Sequence, residues 1–361
     1  MIPYSRQYIN DHDIQSVVDV LRSDYLTTGP THRLFEKKFS EYVGSKFAVS
    51  FSSGTAALHA AASICIKKGD EAITSPNTFL ASANCILYCN GKVRFSDIYR
   101  GSFLMNPFTL KITNKTKAII PVDFAGVPCD HTIIQEMAYD DDLVVIQDAS
   151  HSLGATYNGK KVGSFSDMTT FSFHPVKHIT TGEGGMVTTN NEEYYEKLLA
   201  FRNHGMVKNI PGKPTYYYEM QSIGYNYRLS DIHSALGITQ LSKLDTFVSR
   251  RQQVDKVYRE ELSDTVKFQF IPSDRTSSCH LTPILVKNRD EIYKKLKKLG
   301  IGVQIHYIPV YRQPYYKNRI YRQMDYPECE KYYKHTLSLP NYPFLQSIDQ
   351  RRVIKELRKL Q

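Results

Sequence analysis

The sequence predicts an α/β protein: a large domain on a mainly parallel sheet, followed by a smaller α+β unit. Three observations carry this. Strand-like runs at 71–75, 93–96, 117–122 and 143–147 alternate with helix-like runs near 79–89 and 131–139, the pattern of βαβ units. Leu143-Val144-Val145-Ile146-Gln147 shows no polar alternation until its end, as a strand buried on both faces does. Residues 47–51 form a β-prone run that opens through Ser53-Gly54-Thr55 onto an alanine-rich helix. Such a junction leaves backbone amides and hydroxyls free at a helix N-terminus, where an anion binds.

In chain order, Ile14, Val17, Val18 and Leu21 recur at helical spacing, with Asn10 or Asp11 as caps. Tyr25 to Pro30 breaks that helix, and a second amphipathic one runs from about 31 to 43. Asp148 follows the 143–147 strand at its carboxyl end, where open α/β sheets place ligands, although a turn aspartate before Ser150 fits the same local sequence. A β-prone run at 168–173 must stop before Pro175, which cannot join a central strand. Gly182, Gly184 and Gly185 then turn the chain into a second β-prone run. Residues 191–204 read as a helix and 205–222 as a loop with three consecutive tyrosines. Gly224 to Ser230 leads into a long helix ending near Leu262, with the domain boundary inside it: 1–246 forms the large domain and 247–361 the small one. The small unit has strands near 267–271, 281–286 and 303–308 and helices at 289–299 and 348–360.

Composition excludes several classes. With 361 residues, 41% apolar and 23% charged, the chain is an ordinary globular protein with room for a large core. No apolar run approaches the ~20 residues that span a bilayer, and the first six residues lack the layout of a signal peptide. The six cysteines are scattered without a Cys-x-x-Cys pair, which suits reduced thiols and a cytoplasmic protein better than disulfides or zinc. The net charge is +10, enough to attract nucleic acid, an anionic surface or a phosphorylated substrate. Much of it, Lys294 to Lys298 and Arg351 to Lys359, is interleaved with apolar residues at helical spacing. These are solvated helix faces, and small anionic substrates fit better than nucleic acid.

The chemistry centres on Lys177, held between Pro175 and the glycine turn and between two strands that read as buried. As a solvated cation it would do nothing, but a lysine on a stiff, buried connection has a lowered pKa, and its neutral amine attacks carbonyls. Ser53-Gly54-Thr55, Asp148, Ser172 and Lys177 together supply what pyridoxal phosphate needs: helix-start donors for its phosphate, a carboxylate for its pyridine nitrogen, and an amine for its aldehyde.

The sequence resembles the DegT/DnrJ/EryC1/StrS family of sugar aminotransferases over nearly its whole length. The resemblance rests on Leu26-Thr27-Thr28-Gly29, Ser53 to Leu58, Pro76-Asn77-Thr78-Phe79 and Asp148-Ala149-Ser150-His151. It continues through Phe171-Ser172-Phe173-His174 with Lys177, Gly182 to Gly185, and Gly224 to Leu229. It implies an aspartate-aminotransferase-like fold (PLP fold type I), pyridoxal 5'-phosphate as cofactor in a Schiff base to Lys177, and Asp148 on the pyridinium nitrogen. Gly54, Thr55 and Ser172 would hold the phosphate. Phe79 would cover the ring, a position that core packing explains equally well. His151 would lie beside the phenolic oxygen, or serve as a buried structural histidine. Asn226 would reach the cofactor of a neighbouring subunit, implying a homodimer with shared sites, or stand as a turn residue. Tyr4, Thr27, His306, Tyr307 and Pro309 match positions lining the sugar-nucleotide pocket.

Within the family the sequence looks most similar to enzymes that aminate C4 of UDP-4-keto-6-deoxy-N-acetylhexosamines on the route to pseudaminic acid. The features are Tyr4-Ser5, the Ser172 to Thr181 stretch, and His306-Tyr307 with Pro309. The substrate so implied is UDP-2-acetamido-2,6-dideoxy-beta-L-arabino-hexos-4-ulose, with L-glutamate as amino donor. The family's dehydratase branch has histidine in place of the Schiff-base lysine; here the lysine is present and His174 and His178 flank it, which favours transamination. The alternatives are another UDP- or dTDP-keto sugar aminated at C3 or C4, a desulfurase or decarboxylase, and a non-catalytic nucleotide-binding protein.

Overall fold

In this computed structural model, residues 1–208, 210–317 and 323–361 are described. Seven strands make the large sheet: β1 (Phe47–Phe51), β2 (Glu71–Thr74), β3 (Lys92–Phe95), β4 (Thr116–Ile120), β5 (Val144–Asp148), β6 (Met168–Ser172) and β7 (Gly185–Thr189). Their order is β1-β7-β6-β5-β4-β2-β3. The pairs from β6 to β3 are parallel, and β7 runs antiparallel to both its neighbours. The sheet is mainly parallel, as its apolar strands require.

Local chemistry explains the helices around it. α1 (Asp11–Leu21) opens on a capping box: the Asp13 amide donates to Asn10 Oδ1 at 3.2 Å and the Asn10 amide to Asp13 Oδ2 at 2.9 Å. α2 (Pro30–Val43) starts at Gly29, which has no side chain to cap it. Asp231, 202 residues away from Gly29, does so instead, accepting from the amides of Gly29, Thr31 and His32 at 2.9, 2.8 and 3.2 Å. α3 (Gly54–Cys65) buries Ala56, Ala57, Ala60, Ala61 and Ala62 and lies against β6 and β7. Small side chains let it sit close to the sheet, which fixes its N-terminus at the strands' carboxyl edge. α4 (Leu80–Tyr88) and α5 (His131–Asp140) make the crossovers from β2 to β3 and from β4 to β5, and α6 (Glu192–Arg202) leads the chain out of the sheet after β7. Phe35 and Phe39 pack on Phe171 and Phe173 with ring centroids 5.0 to 5.6 Å apart, clamping α2 to the strand that leads to Lys177.

The 231–262 stretch is two helices, α7 (Asp231–Leu241) and α8 (Leu244–Leu262), broken at Ser242-Lys243. The boundary expected near residue 247 falls in the first turn of α8. Beyond it, β8 (Lys267–Phe268), β9 (Thr282–Leu285) and β10 (Thr336–Leu339) form a three-stranded antiparallel sheet. α9 (Arg289–Lys298), α10 (Pro327–His335) and α11 (Ser347–Arg358) accompany it. Its core, including Tyr258, Leu262, Ile284, Leu296, Leu337 and Leu357, also takes in Ile2. The Ile2 amide and carbonyl bond Gly300 and Gly302 at 2.8 and 2.7 Å, so the N-terminal arm is anchored on the C-terminal unit.

Two further expectations fail. Residues 303–308 form no strand: the segment makes a single bridge, Gln304 with Ser338. It is held instead by side chains, His306 Nδ1 to Ser338 Oγ at 2.9 Å and Tyr332 Oη to the His306 carbonyl at 2.8 Å. This turns it inward. The 205–222 span, of which residue 209 lies outside the described residues, contains a short hairpin, Met206–Lys208 with Tyr218–Met220. The break between its halves, rich in Gly and Pro, masks two brief strands.

Candidate active site

The strand ends, the start of α3 and the 303–308 segment enclose a cavity of about 460 Å³. Tyr4, Gly54, Thr55, Phe79, Asp148, His151, Ser172, Lys177, His306 and Tyr307 line it, together with Ser53 and Ser82. Three expected residues do not. Thr27 is exposed on the turn before α2, Asn226 is exposed on the 224–228 segment, and Pro309 is buried behind the lining, where the next amide, Val310, bonds the Pro76 carbonyl at 3.1 Å. A larger cleft of about 800 Å³, lined by Lys267, Lys331 and Arg358 of the C-terminal unit and by Arg100 and Phe103 of the large domain among others, contains no buried lysine facing a carboxylate and carries none of this chemistry.

At one end of the cavity is a cup of donors. Ser53 caps α3 by accepting from the Ala56 amide at 3.1 Å. The amides of Gly54 and Thr55 make no hydrogen bond among the described residues, as the first turn of a helix leaves them. A β-carbon on Gly54 would meet Ser172 Cβ at 2.8 Å and Oγ at 3.0 Å. The glycine therefore brings α3 and the end of β6 together, with the hydroxyls of Thr55 and Ser172 beside the free amides. Free helix-start amides with hydroxyls beside them suit a phosphate.

At the other end is Asp148, the last residue of β5 and buried. Ser82 Oγ donates to its Oδ2 at 2.6 Å and the Ser150 amide to its Oδ1 at 3.1 Å. The carboxylate is thus oriented and still able to accept. Beneath it Asp123 is saturated by Gln147, Ser152, His131 and the Cys129 amide. That second buried carboxylate is structural. Ser82 and Asp123 were not apparent from the sequence; the only signal for Ser82 is its place on the first turn of α4, next to Phe79.

Lys177 lies between these ends, on the β6–β7 connection, with its amide bonded to the His174 carbonyl at 2.9 Å. Burial first of all, with the Arg251 charge adding, pushes its amine down to about 8, against the opposing pull of Asp148. At pH 7.5 about one amine in four is then unprotonated, against about one in a thousand for an ordinary lysine.

His151 is buried and pushed well down by burial, with Lys177, His306 and His178 adding to it, so its ring is neutral. The Ala125 amide donates to Nδ1 at 3.3 Å. A backbone amide only donates, so the ring proton is on Nε2, which faces Tyr307 Oη at 3.1 Å. Tyr307, held protonated mainly by burial, accepts that bond and has its own O–H free for the cavity. Phe79, 59% exposed, lies at the mouth with its ring 6.2 Å from that of Tyr307. Tyr4 approaches His306 at 5.8 Å between centroids, and burial brings His306 down to about 3.

The donor cup, the buried carboxylate of Asp148 and the amine between them fit the cofactor that the sequence implies: phosphate on Gly54, Thr55 and Ser172, pyridine nitrogen on Asp148, aldehyde on Lys177; Glu183 is a second carboxylate of the lining. Among the described residues there is no cluster of side chains suited to a metal ion.

The sequence matches the DegT/DnrJ/EryC1/StrS aminotransferase family over residues 7–358. A UDP-4-amino-4,6-dideoxy-N-acetyl-beta-L-altrosamine transaminase from Campylobacter jejuni is 38% identical, the match covering 94% of this chain and 92% of that one. The fold superposes on Helicobacter pylori PseC, an aminotransferase involved in the biosynthesis of pseudoaminic acid, with a TM-score of 0.93 and 34% identity, over 99% of this chain and 98% of that one. Spr1654 from Streptococcus pneumoniae, solved in a PLP-form, superposes with a TM-score of 0.94 and 29% identity over 99% and 98%.

Proposed function

The chain belongs to the DegT/DnrJ/EryC1/StrS aminotransferase family, and on that premise we propose that it aminates C4 of a UDP-linked 4-keto-6-deoxy-N-acetylhexosamine with L-glutamate as donor. The substrate is UDP-2-acetamido-2,6-dideoxy-beta-L-arabino-hexos-4-ulose, and the product feeds pseudaminic acid or a related surface glycan. One observation carries the reading: a donor cup, an oriented carboxylate and a lysine with a depressed pKa face one another across a single cavity. The names of the Campylobacter and Helicobacter relatives support the sugar.

Pyridoxal phosphate, when bound, supplies an aldehyde that joins amines and a ring that takes up the electrons left when a C–H bond breaks. Asp148 would hold a proton on the ring nitrogen, its two hydrogen bonds keeping the carboxylate aimed. Gly54, Thr55 and Ser172 would bind the phosphate, and Phe79 would exclude water from the ring. Tyr307, aligned by His151, offers an O–H to the polar edge of whatever lies between it and Lys177. Lys177 Nζ, once free, would take the proton from the donor's α-carbon as general base and, as general acid, deliver it to the carbon that came from the aldehyde, two bonds away. With the keto sugar bound it runs the same transfer in reverse, a ping-pong sequence. Tyr4, His306 and Tyr307, which line the cavity, belong to the sugar-nucleotide side. Asn226 serves the site of a second copy, so the working unit is a homodimer, and we place it in the cytoplasm.

The test is incubation with L-glutamate and a panel of UDP- and dTDP-keto sugars. The expected result is 2-oxoglutarate release and a 4-amino product from the UDP-4-keto-N-acetyl sugar. Turnover only with a dTDP sugar, or amination at C3, would overturn the substrate assignment.

A further inference from the structure

Arg251, on the second turn of α8, is 0% exposed and is among the largest fully buried side chains of the protein. A buried guanidinium ordinarily has a carboxylate beside it; among the described residues this one forms no ion pair. Its partners are four backbone carbonyls from three segments. Nη1 donates to those of Asn341 at 2.7 Å and His280 at 3.3 Å, and Nη2 to those of Lys177 at 3.3 Å and Val176 at 3.4 Å. Nε has no partner. The bond network closes on itself, since Asn341 Nδ2 donates back to the Arg251 carbonyl at 3.2 Å and to Thr282 Oγ1 at 3.0 Å. Ser5 Oγ reaches the same Val176 carbonyl at 3.1 Å.

This arrangement is too enclosed to bind a substrate carboxylate, and four neutral carbonyls leave the charge uncancelled. We propose that Arg251 is a positioning residue for Lys177: it braces the lysine's turn against the C-terminal unit and places a standing positive charge behind it. The inference rests on Lys177 being the reactive amine. A planar fork spans carbonyls from three directions, which the point charge of a lysine does not. Electrostatically coupled to the Lys177 amine are also Asp148, which favours its protonated form, and His151, His178, His280 and His306, all pushed down by burial and neutral; Glu183 lines the same cavity. Tyr4 and Tyr307 are held protonated by burial. Arg251 is therefore the one cation in this set that stays charged across the working range, and its repulsion adds to burial in favouring the neutral amine.

The test is competitive acetylation of Lys177 in the full-length, cofactor-free chain as a function of pH, read by mass spectrometry. Arg251→Met should move the labelling midpoint upward by about half a pH unit or more and slow labelling at pH 7.5 about 3-fold. Arg251→Lys keeps the charge and should leave the midpoint near the wild-type value. It should nonetheless speed amide hydrogen exchange over 174–181 by about 10-fold relative to α3, because the brace is lost. In folded protein, judged by near-UV circular dichroism, an unmoved or lowered midpoint in Arg251→Met would overturn the proposal. If that variant does not fold, unchanged exchange over 174–181 in Arg251→Lys would do so. Neither readout requires turnover, so failure here is separable from failure of the assigned reaction, which would show as absence of amination by wild-type protein.

Discussion

Replacing Lys177 with methionine should stabilise the cofactor-free protein while abolishing its activity. The amine is displaced mainly by burial from 10.5 to about 8, so below about pH 8 the folded chain carries a charged group it would hold more comfortably unfolded. That displacement corresponds to about 3 kcal/mol, an upper value because the amine borders the cavity, where water enters. Methionine has a similar length and no charge. The sign follows from the depressed value: the unfolded chain binds the extra proton between about 8 and 10.5, so wild-type stability rises with pH across that window. The gain of Lys177→Met over wild type should thus be about 1 to 3 kcal/mol at pH 7, shrink from about pH 8 upward and vanish near 10.5. Urea unfolding of both proteins at several pH values measures it directly. A variant less stable than wild type at pH 7, or a gain independent of pH, would refute the reasoning, because either outcome means that the amine is not held against its charged state.

Asp148→Asn leaves the bond from Ser82 an acceptor but removes the charge that keeps a ring nitrogen protonated; kcat should fall about 100-fold or more with cofactor still bound, checked by single-turnover absorbance. Tyr307→Phe strands the Nε2 proton of buried His151, so thermal or urea unfolding should show a loss of about 1 to 2 kcal/mol, and His151→Phe in the same background should not add its full cost. Asp231→Ala removes the acceptor for three amides at the start of α2 and should cost about 2 kcal/mol in urea unfolding, leaving cofactor affinity nearly unchanged.

What the sequence made readable was local. The Ser53-Gly54-Thr55 junction, Asp148 at the end of an apolar run and Lys177 between a proline and a glycine turn all announce themselves within a few residues, because helix starts and strand ends have their own chemistry. What it hid was long-range. Asp231 caps a helix about 200 residues earlier, Ser82 aims a carboxylate 66 residues away, and Arg251 joins segments that no window contains. The 303–308 run has the composition of a strand, yet side-chain bonds from His306 and Tyr332 compete with ladder pairing and turn it toward the cavity. The pause at Ser242-Lys243 likewise breaks an uninterrupted helical pattern: Lys243 makes a tertiary pair with Asp13 of α1, and locally the Ser242 hydroxyl bonds the Thr239 carbonyl at 2.7 Å.

The most direct measurement is to add pyridoxal phosphate to the purified chain, reduce with borohydride, digest, and locate the attached cofactor by mass spectrometry. The mass should sit on the peptide containing Lys177 and be absent from Lys177→Ala. A cofactor fixed to another lysine, or to none while wild-type protein still aminates a sugar, would contradict the account.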